Sequence, residues 1–179
     1  SDLGFRCVLT DGSGTDKDNI APRPNSSKAK AAIEAAIRKA AGKPRGKLTR
    51  VDLEKVTRLE PPAMQLTDAS ALAGLTKLQT LILSGNNRLT DVSTLAGLTQ
   101  LKKLYLSHNQ LSDVSPLAKL KQLEDLYLSS NQLNDVSVLA GLTQLKELYL
   151  TGNPNLTKAE IDELQKALPN CKIASNPTK

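Results

Sequence analysis

One histidine, two cysteines and a scatter of carboxylates are what this 179-residue sequence offers for covalent or acid–base chemistry, and their spacing assembles none of it. His108 lies in Ser-His-Asn-Gln-Leu with no Ser or Cys nucleophile in a shared motif, so it reads as an exposed loop residue. Cys7 and Cys171 are too few for a disulfide scaffold and, even with His108, too few for a metal site; both are read as free thiols. Gly12 and Gly14 have no strand before them and no helix directly after, so they form no phosphate loop. The carboxylates of Glu124-Asp125 and Asp162-Glu163 are neighbours in sequence, expected on solvated faces rather than opposed as an acid and a base. The expectation is a protein that is not an enzyme and that uses no cofactor and no metal.

What remains is the chemistry of recognition. All three tyrosines, Tyr105, Tyr127 and Tyr149, recur at an interval of 22 residues, and Ile82 holds the equivalent place one unit earlier. A surface tyrosine carries a large apolar area, a polar tip and little rotamer entropy, which suits it to interfaces. To act together these residues must be brought into one column, and the sequence contains the device that does so.

The pattern Leu-x-x-Leu-x-Leu-x-x-Asn-x-Leu recurs from Leu78, Leu101, Leu123 and Leu145. Its second leucines, Leu81, Leu104, Leu126 and Leu148, are spaced by 23, 22 and 22 residues, the extra residue being accounted for by Asn86-Asn87. A degenerate copy, RLEPPAMQL, puts Leu59 one unit earlier, with Pro61 and Met64 where Leu and Asn belong. Between the copies runs a second phrase, DASALAGL, DVSTLAGL, DVSPLAKL and DVSVLAGL, from Asp68, Asp91, Asp113 and Asp135. In a strand alternate side chains face opposite ways, so the paired leucines of each copy enter a core and the residue between them points out. One such unit cannot bury its apolar face alone, so the units must stack. With no Trp and a single Phe, the core has to be aliphatic.

The repeat resembles the 22-residue class of leucine-rich repeat in bacterial internalins and related proteins, over residues 48 to 173. That resemblance implies an α/β solenoid, right-handed, with a parallel concave sheet, 3₁₀ turns on the convex side and helical caps at both ends. It divides the chain into a linker or tail at 1–27, a helical cap at 28–58, five repeats at 59–156 with the first degenerate, and a cap helix with a last strand at 157–179. Asn86, Asn109, Asn131 and Asn153 fall where the chain leaves each strand, and their amides are expected to pair with inward-facing backbone as a structural ladder. Asp91, Asp113 and Asp135 precede turns and are expected to accept from nearby amides. In the first cap, Ile33, Ile37 and Ala40 fall at helical spacing before Gly42, and Val51, Leu53 and Val56 follow Thr49 as apolar contacts. Thr157 and Glu160 form a capping box ahead of the last helix, and Cys171-Lys172-Ile173 reads as a closing strand.

Stacking puts Ile82, Tyr105, Tyr127 and Tyr149 in one outward column, flanked by Lys103, Asp125 and Glu147 on one side and Ser107 and Ser129 on the other. The leading reading is a protein–protein interaction module that takes a protein or peptide on this concave face. A second is that tyrosine is here only a good strand former packing on its neighbour. The charge distribution suggests a third. Residues 28 to 58 hold ten Lys or Arg against three acidic residues, a balance of +7 where the whole chain carries +6, so this cap could meet nucleic acid or an anionic surface. It has no interleaved aromatics for stacking bases, which disfavours nucleic acid. A fourth reading is a structural spacer in a larger protein.

No stretch is long and apolar enough to span a membrane, and a soluble monomer is expected. The sequence opens on Ser1, so a leader or further domains could precede it, and the compartment stays open. Residues after Thr10 are rich in Gly, Ser, Asp and Pro, a linker composition. Gly4-Phe5-Arg6-Cys7-Val8 resembles the closing strand of formylglycine-generating-enzyme-like domains, which would make this chain the C-terminal module of a longer protein; none of that family's functional residues is present. The alternative is a tail with an apolar patch.

Overall fold

The computed structural model describes residues 27–63 and 65–176. The readings placed on residues 1–26, namely the linker, the formylglycine-generating-enzyme-like phrase and the Cys7 thiol, lie outside the described residues, as does Met64.

Among the described residues six short strands form one parallel sheet in sequence order: β1 (Arg58–Leu59), β2 (Thr80–Ile82), β3 (Lys103–Tyr105), β4 (Asp125–Tyr127), β5 (Glu147–Tyr149) and β6 (Lys172–Ala174). The register carries the repeat into space, with Leu81, Leu104, Leu126 and Leu148 aligned strand to strand and each fully buried. Between the strands the chain returns through 3₁₀ turns at Ser70–Leu72, Ser93–Gly97, Ser115–Lys119 and Ser137–Gly141. Each turn drives one leucine, Leu72, Leu95, Leu117 or Leu139, inward to meet the strand leucines. Each is entered by an aspartate whose Oδ1 accepts the N–H of the serine two residues on, at 2.9 Å for Asp68, 2.7 Å for Asp91 and Asp113, and 2.8 Å for Asp135. The core is a single cluster, mostly leucine with some Ala, Ile and Val, running the length of the stack.

The asparagine ladder satisfies backbone that the strands leave facing inward. Asn131 Nδ2 donates to Leu106 O and Leu128 O, both at 3.0 Å, and its Oδ1 accepts Leu111 N–H at 3.0 Å. Asn153 repeats this one unit later, with Leu128 O at 3.0 Å, Leu150 O at 2.8 Å and Leu133 N–H at 3.1 Å. Asn109 Nδ2 reaches Leu83 O at 3.1 Å and Leu106 O at 2.9 Å, but its buried Oδ1 has no partner among the described residues. Asn87, the extra residue of the preceding unit, follows Asn86 in a left-handed conformation, φ 57°.

The residue before each ladder asparagine is also left-handed, at Gly85 (φ 76°), His108 (57°), Ser130 (56°) and Gly152 (78°). At Gly152 the requirement is doubled, because a Cβ there would stand 2.9 Å from Ser130 Oγ and 3.0 Å from Ser130 N.

Helices close both ends. α1 (Ser27–Ala41) buries Ala29, Ile33, Ile37 and Ala41, and Gly42 stops it at φ 66°. Ala40, expected in that stripe, is exposed, because the buried face steps by four residues and selects Ala41. α2 (Arg50–Glu54) starts at Thr49 with a capping box to Asp52. Val51, expected as an apolar contact, is instead 64% exposed. In so short a helix Val51 lies about 200° around from Leu53, which with Val56 faces the core. α3 (Lys158–Ala167) starts at Thr157 with a capping box to Glu160 and lays Leu164 on the stack ahead of buried Leu168 and Cys171. None of these helices is long and apolar enough to cross a membrane.

Candidate interaction surface

Outward strand positions form two columns on the sheet. Register aligns Arg58, Thr80, Lys103, Asp125, Glu147 and Lys172 in one, and Ile82, Tyr105, Tyr127, Tyr149 and Ala174 in the other. In parallel strands about 4.8 Å apart, planar side chains in one column stack face to face. The tyrosine rings do so, with centroids 4.4 Å apart between Tyr105 and Tyr127 and 4.6 Å between Tyr127 and Tyr149, at interplanar angles of 13° and 7°. Each ring is therefore half-buried by its neighbours, with its edge and hydroxyl outward.

Glu147 ties the columns together. Its Oε2 accepts from Tyr127 Oη at 3.1 Å and from Tyr149 Oη at 3.3 Å. Burial between two rings, and then the hydrogen bond to this carboxylate, push the Tyr127 hydroxyl well above the usual phenol range, so it stays protonated and donating. Burial, then the charge of Glu147, also pushes the Cys171 thiol up, which keeps it from reacting as a thiolate.

Lys103 and Asp125 form an ion pair across β3 and β4, and Asp125 holds the lysine ammonium above its usual value. Asp125 was expected on an open face; it is only 9% exposed, because its lysine partner covers it from the preceding strand. Glu124 sits between Lys146, with which it makes a short ion pair, and Lys102 at 4.0 Å. Ser129 Oγ and Thr151 Oγ1 lie 2.9 Å apart, while Ser107 is half-buried beside the column. At the N-terminal end of the face a cavity of about 760 Å³ opens between α1 and the first strands, walled by Lys39, Arg58, Pro61 and Ile82. His108 is exposed at its turn, and no group of three or more His, Cys, Asp or Glu suited to a metal occurs among the described residues.

The three acidic residues of the basic segment are all paired within it. Arg38 pairs with Glu34 at 2.7 Å and donates to Gly46 O at 2.8 Å; Lys43 pairs with Asp52 at 2.6 Å; Arg50 pairs with Glu54 at 2.9 Å. Arg50 remains 89% exposed in its pair, and the balance of +7 already counts the three acidic residues.

A family model described as Leucine Rich repeats (2 copies) matches residues 99–141 and 121–170, and one described as Leucine rich repeat matches residues 64–111. Among solved structures, an internalin (inlF) of Listeria monocytogenes is 28% identical and superposes with a TM-score of 0.74, covering 92% of this chain and 48% of its own. A leucine-rich-repeat protein of Leptospira interrogans is 27% identical with a TM-score of 0.60, covering 71% of this chain and 33% of its own. The chain thus spans about half the length of that internalin and a third of the Leptospira protein. No curated protein matches the sequence.

Proposed function

The chain is a leucine-rich-repeat protein of the internalin-like class, a family of interaction modules, and from that premise we propose that it binds a protein or peptide on its concave sheet face. The observation that carries the reading is the stacked column of Tyr105, Tyr127 and Tyr149 held at its open edge by Glu147. Side chains already ordered by one another lose little entropy when a partner covers them, and central tyrosines anchor interfaces by filling desolvated contacts. Lys103, Ser107, Ser129 and Asp125 border the column and supply its polar rim, and Ile82 extends it toward Arg58.

The test replaces Tyr105, Tyr127 and Tyr149 together by Ser. The leucine core and asparagine ladder lie on the other side of the sheet, so the variant should fold with unchanged circular dichroism. Anchors of this kind contribute about 2 kcal/mol or more each, so losing even two weakens binding by roughly a thousandfold. Wild-type and triple-variant baits would be compared for partner capture, and the captured protein then titrated against each by calorimetry. Equal affinity for both baits would remove the concave face from consideration.

A further inference from the structure

We infer that the C-terminal end of the tyrosine column is a receptor for an arginine side chain of the partner, its guanidinium stacked on the outer face of Tyr149 and paired with Glu147. The inference deepens the concave-face reading and rests on it for its biological setting. It starts from two vacancies at the same place. One is aromatic: Tyr127 has a ring on each side, whereas among the described residues Tyr149 has a ring only on the Tyr127 side. The next member of the column, in register on β6, is Ala174, whose side chain is a single methyl and offers Tyr149 no ring to stack on. Beyond β6 the sheet has no further strand among the described residues.

The other vacancy is electrostatic. Asp125 and Glu124 on the neighbouring strand are held by lysines, as Glu34, Asp52, Glu54, Glu60, Asp162 and Glu163 are held by cations elsewhere. Asp68, Asp91, Asp113, Asp135 and Glu160 receive backbone N–H groups at turns and a helix start. Glu147 has neither. Two phenols donate to its Oε2, nothing among the described residues donates to its Oε1, and Lys172, its register partner on β6, makes no ion pair with it. The two phenol bonds fix the carboxylate beside the open ring face.

A planar, delocalised cation satisfies both vacancies at once. A guanidinium can lie flat on a tyrosine and send its N–H fork edge-on to a carboxylate, whereas an ammonium is a compact, strongly hydrated charge that can fill one site but not match the plane of the other. Recognition of arginine over lysine follows from the shape of the site, and the charge complementarity identifies the occupant as a basic segment of the partner protein.

The experiment uses the whole chain and three probe peptides, acetyl-Gly-Arg-Gly-amide and its Lys and citrulline counterparts, titrated while the ring signals of labelled tyrosine are followed by NMR. Saturable shifts of the Tyr149 ring are expected with the Arg peptide, with citrulline, its neutral isostere, weaker by at least about tenfold and Lys between them. Glu147→Gln should weaken Arg binding by about tenfold, and Ala174→Phe, which fills the open stacking place, should abolish it while leaving the fold intact. Absence of a Tyr149 response, equal response to citrulline, or a Glu147→Gln affinity within about twofold of wild type overturns the inference. With the natural partner in hand the two readings separate. Loss of affinity in the triple tyrosine variant with full affinity in Glu147→Gln removes the arginine receptor and keeps the concave face, whereas equal binding by the triple variant removes the concave face itself.

Discussion

The break in the asparagine ladder allows its members to be ranked by what each leaves unpaired. In Asn109→Ala the three carbonyls it served keep a donor, because Leu83 O is also reached by Asn86, Leu106 O by Asn131 and Ser107 O by the Gly85 N–H. Its Oδ1 had no partner to lose and no backbone group is orphaned, so the cost is that of shared hydrogen bonds alone, about 1 to 2 kcal/mol. In Asn131→Ala, Leu106 O keeps Asn109 and Leu128 O keeps Asn153, but Leu111 N–H loses its acceptor inside the core. One orphaned buried donor adds about 1 to 3 kcal/mol. Asn153→Ala abandons two groups, Leu133 N–H and Leu150 O, and should be the most damaging of the three. Denaturant midpoints measured at unchanged slope give the order directly, with Asn109 mildest, then Asn131, then Asn153. If Asn109→Ala is as destabilising as Asn153→Ala, sharing of carbonyls between rungs does not protect the ladder and the accounting is wrong. Deleting Asn87, which restores the 22-residue interval, should then make Asn109 as costly to lose as Asn131.

Gly85 and Gly152 occupy the same left-handed position in different repeats, so Gly85→Ala should cost about 1 kcal/mol from backbone strain alone, and Gly152→Ala distinctly more from the added clash with Ser130, read as a larger drop in melting temperature. Asp52 is held below the usual carboxylate range by Lys43 first and then by Thr49, so its stabilising contribution is complete above its unfolded value of 3.8 and is lost as pH falls below that. The melting temperature of Asp52→Asn should therefore lie below wild type at neutral pH and converge with it in acid; parallel pH curves would remove Asp52 from the cap's energetics. The basic segment should bind heparin or DNA only weakly, with affinity vanishing as salt approaches physiological strength, and a salt-resistant submicromolar affinity in filter binding would favour the polyanion reading over the concave face.

The fold was legible because its two periods, 2 within a strand and 22 between strands, are both written in leucine. The ladder and the outward column followed from the same two numbers. What the sequence could not show lies between repeats, where it takes side-chain reach rather than register to decide the outcome. Asp125 is outward by alternation, yet it is buried because Lys103 reaches across one strand to cover it. Glu147 occupies the same column as Asp125 and would be expected to behave alike, but it turns to two phenols in the adjacent column. The doubled Asn86-Asn87 explains the 23-residue interval in sequence, while the unpartnered Oδ1 of Asn109 appears only once the rungs are in place. In α1 the ambiguity between Ala40 and Ala41 arises because two small residues stand side by side and periodicity alone does not choose the face.

Strand packing and the proposed partner recognition would draw on the same tyrosine contacts. A ring stacked on its neighbour contributes to the sheet, roughly 0.2 to 1 kcal/mol per pair, and is by that contact already fixed in one rotamer. The rings stay half-exposed, the Tyr127 and Tyr149 hydroxyls donate to Glu147, and the outer face of Tyr149 has no stacked ring among the described residues. A column built only for stability would gain by continuing to the last strand, where an aromatic at position 174 would bury the outer face of Tyr149. The chain has Ala174 there instead, so the column ends one member short of the sheet, beside its unpaired carboxylate. That unused stacking energy is what separates the two readings physically: Ala174→Phe should raise the melting temperature while lowering partner affinity. A variant that gained stability with no loss of binding would show that the end of the column serves the fold alone.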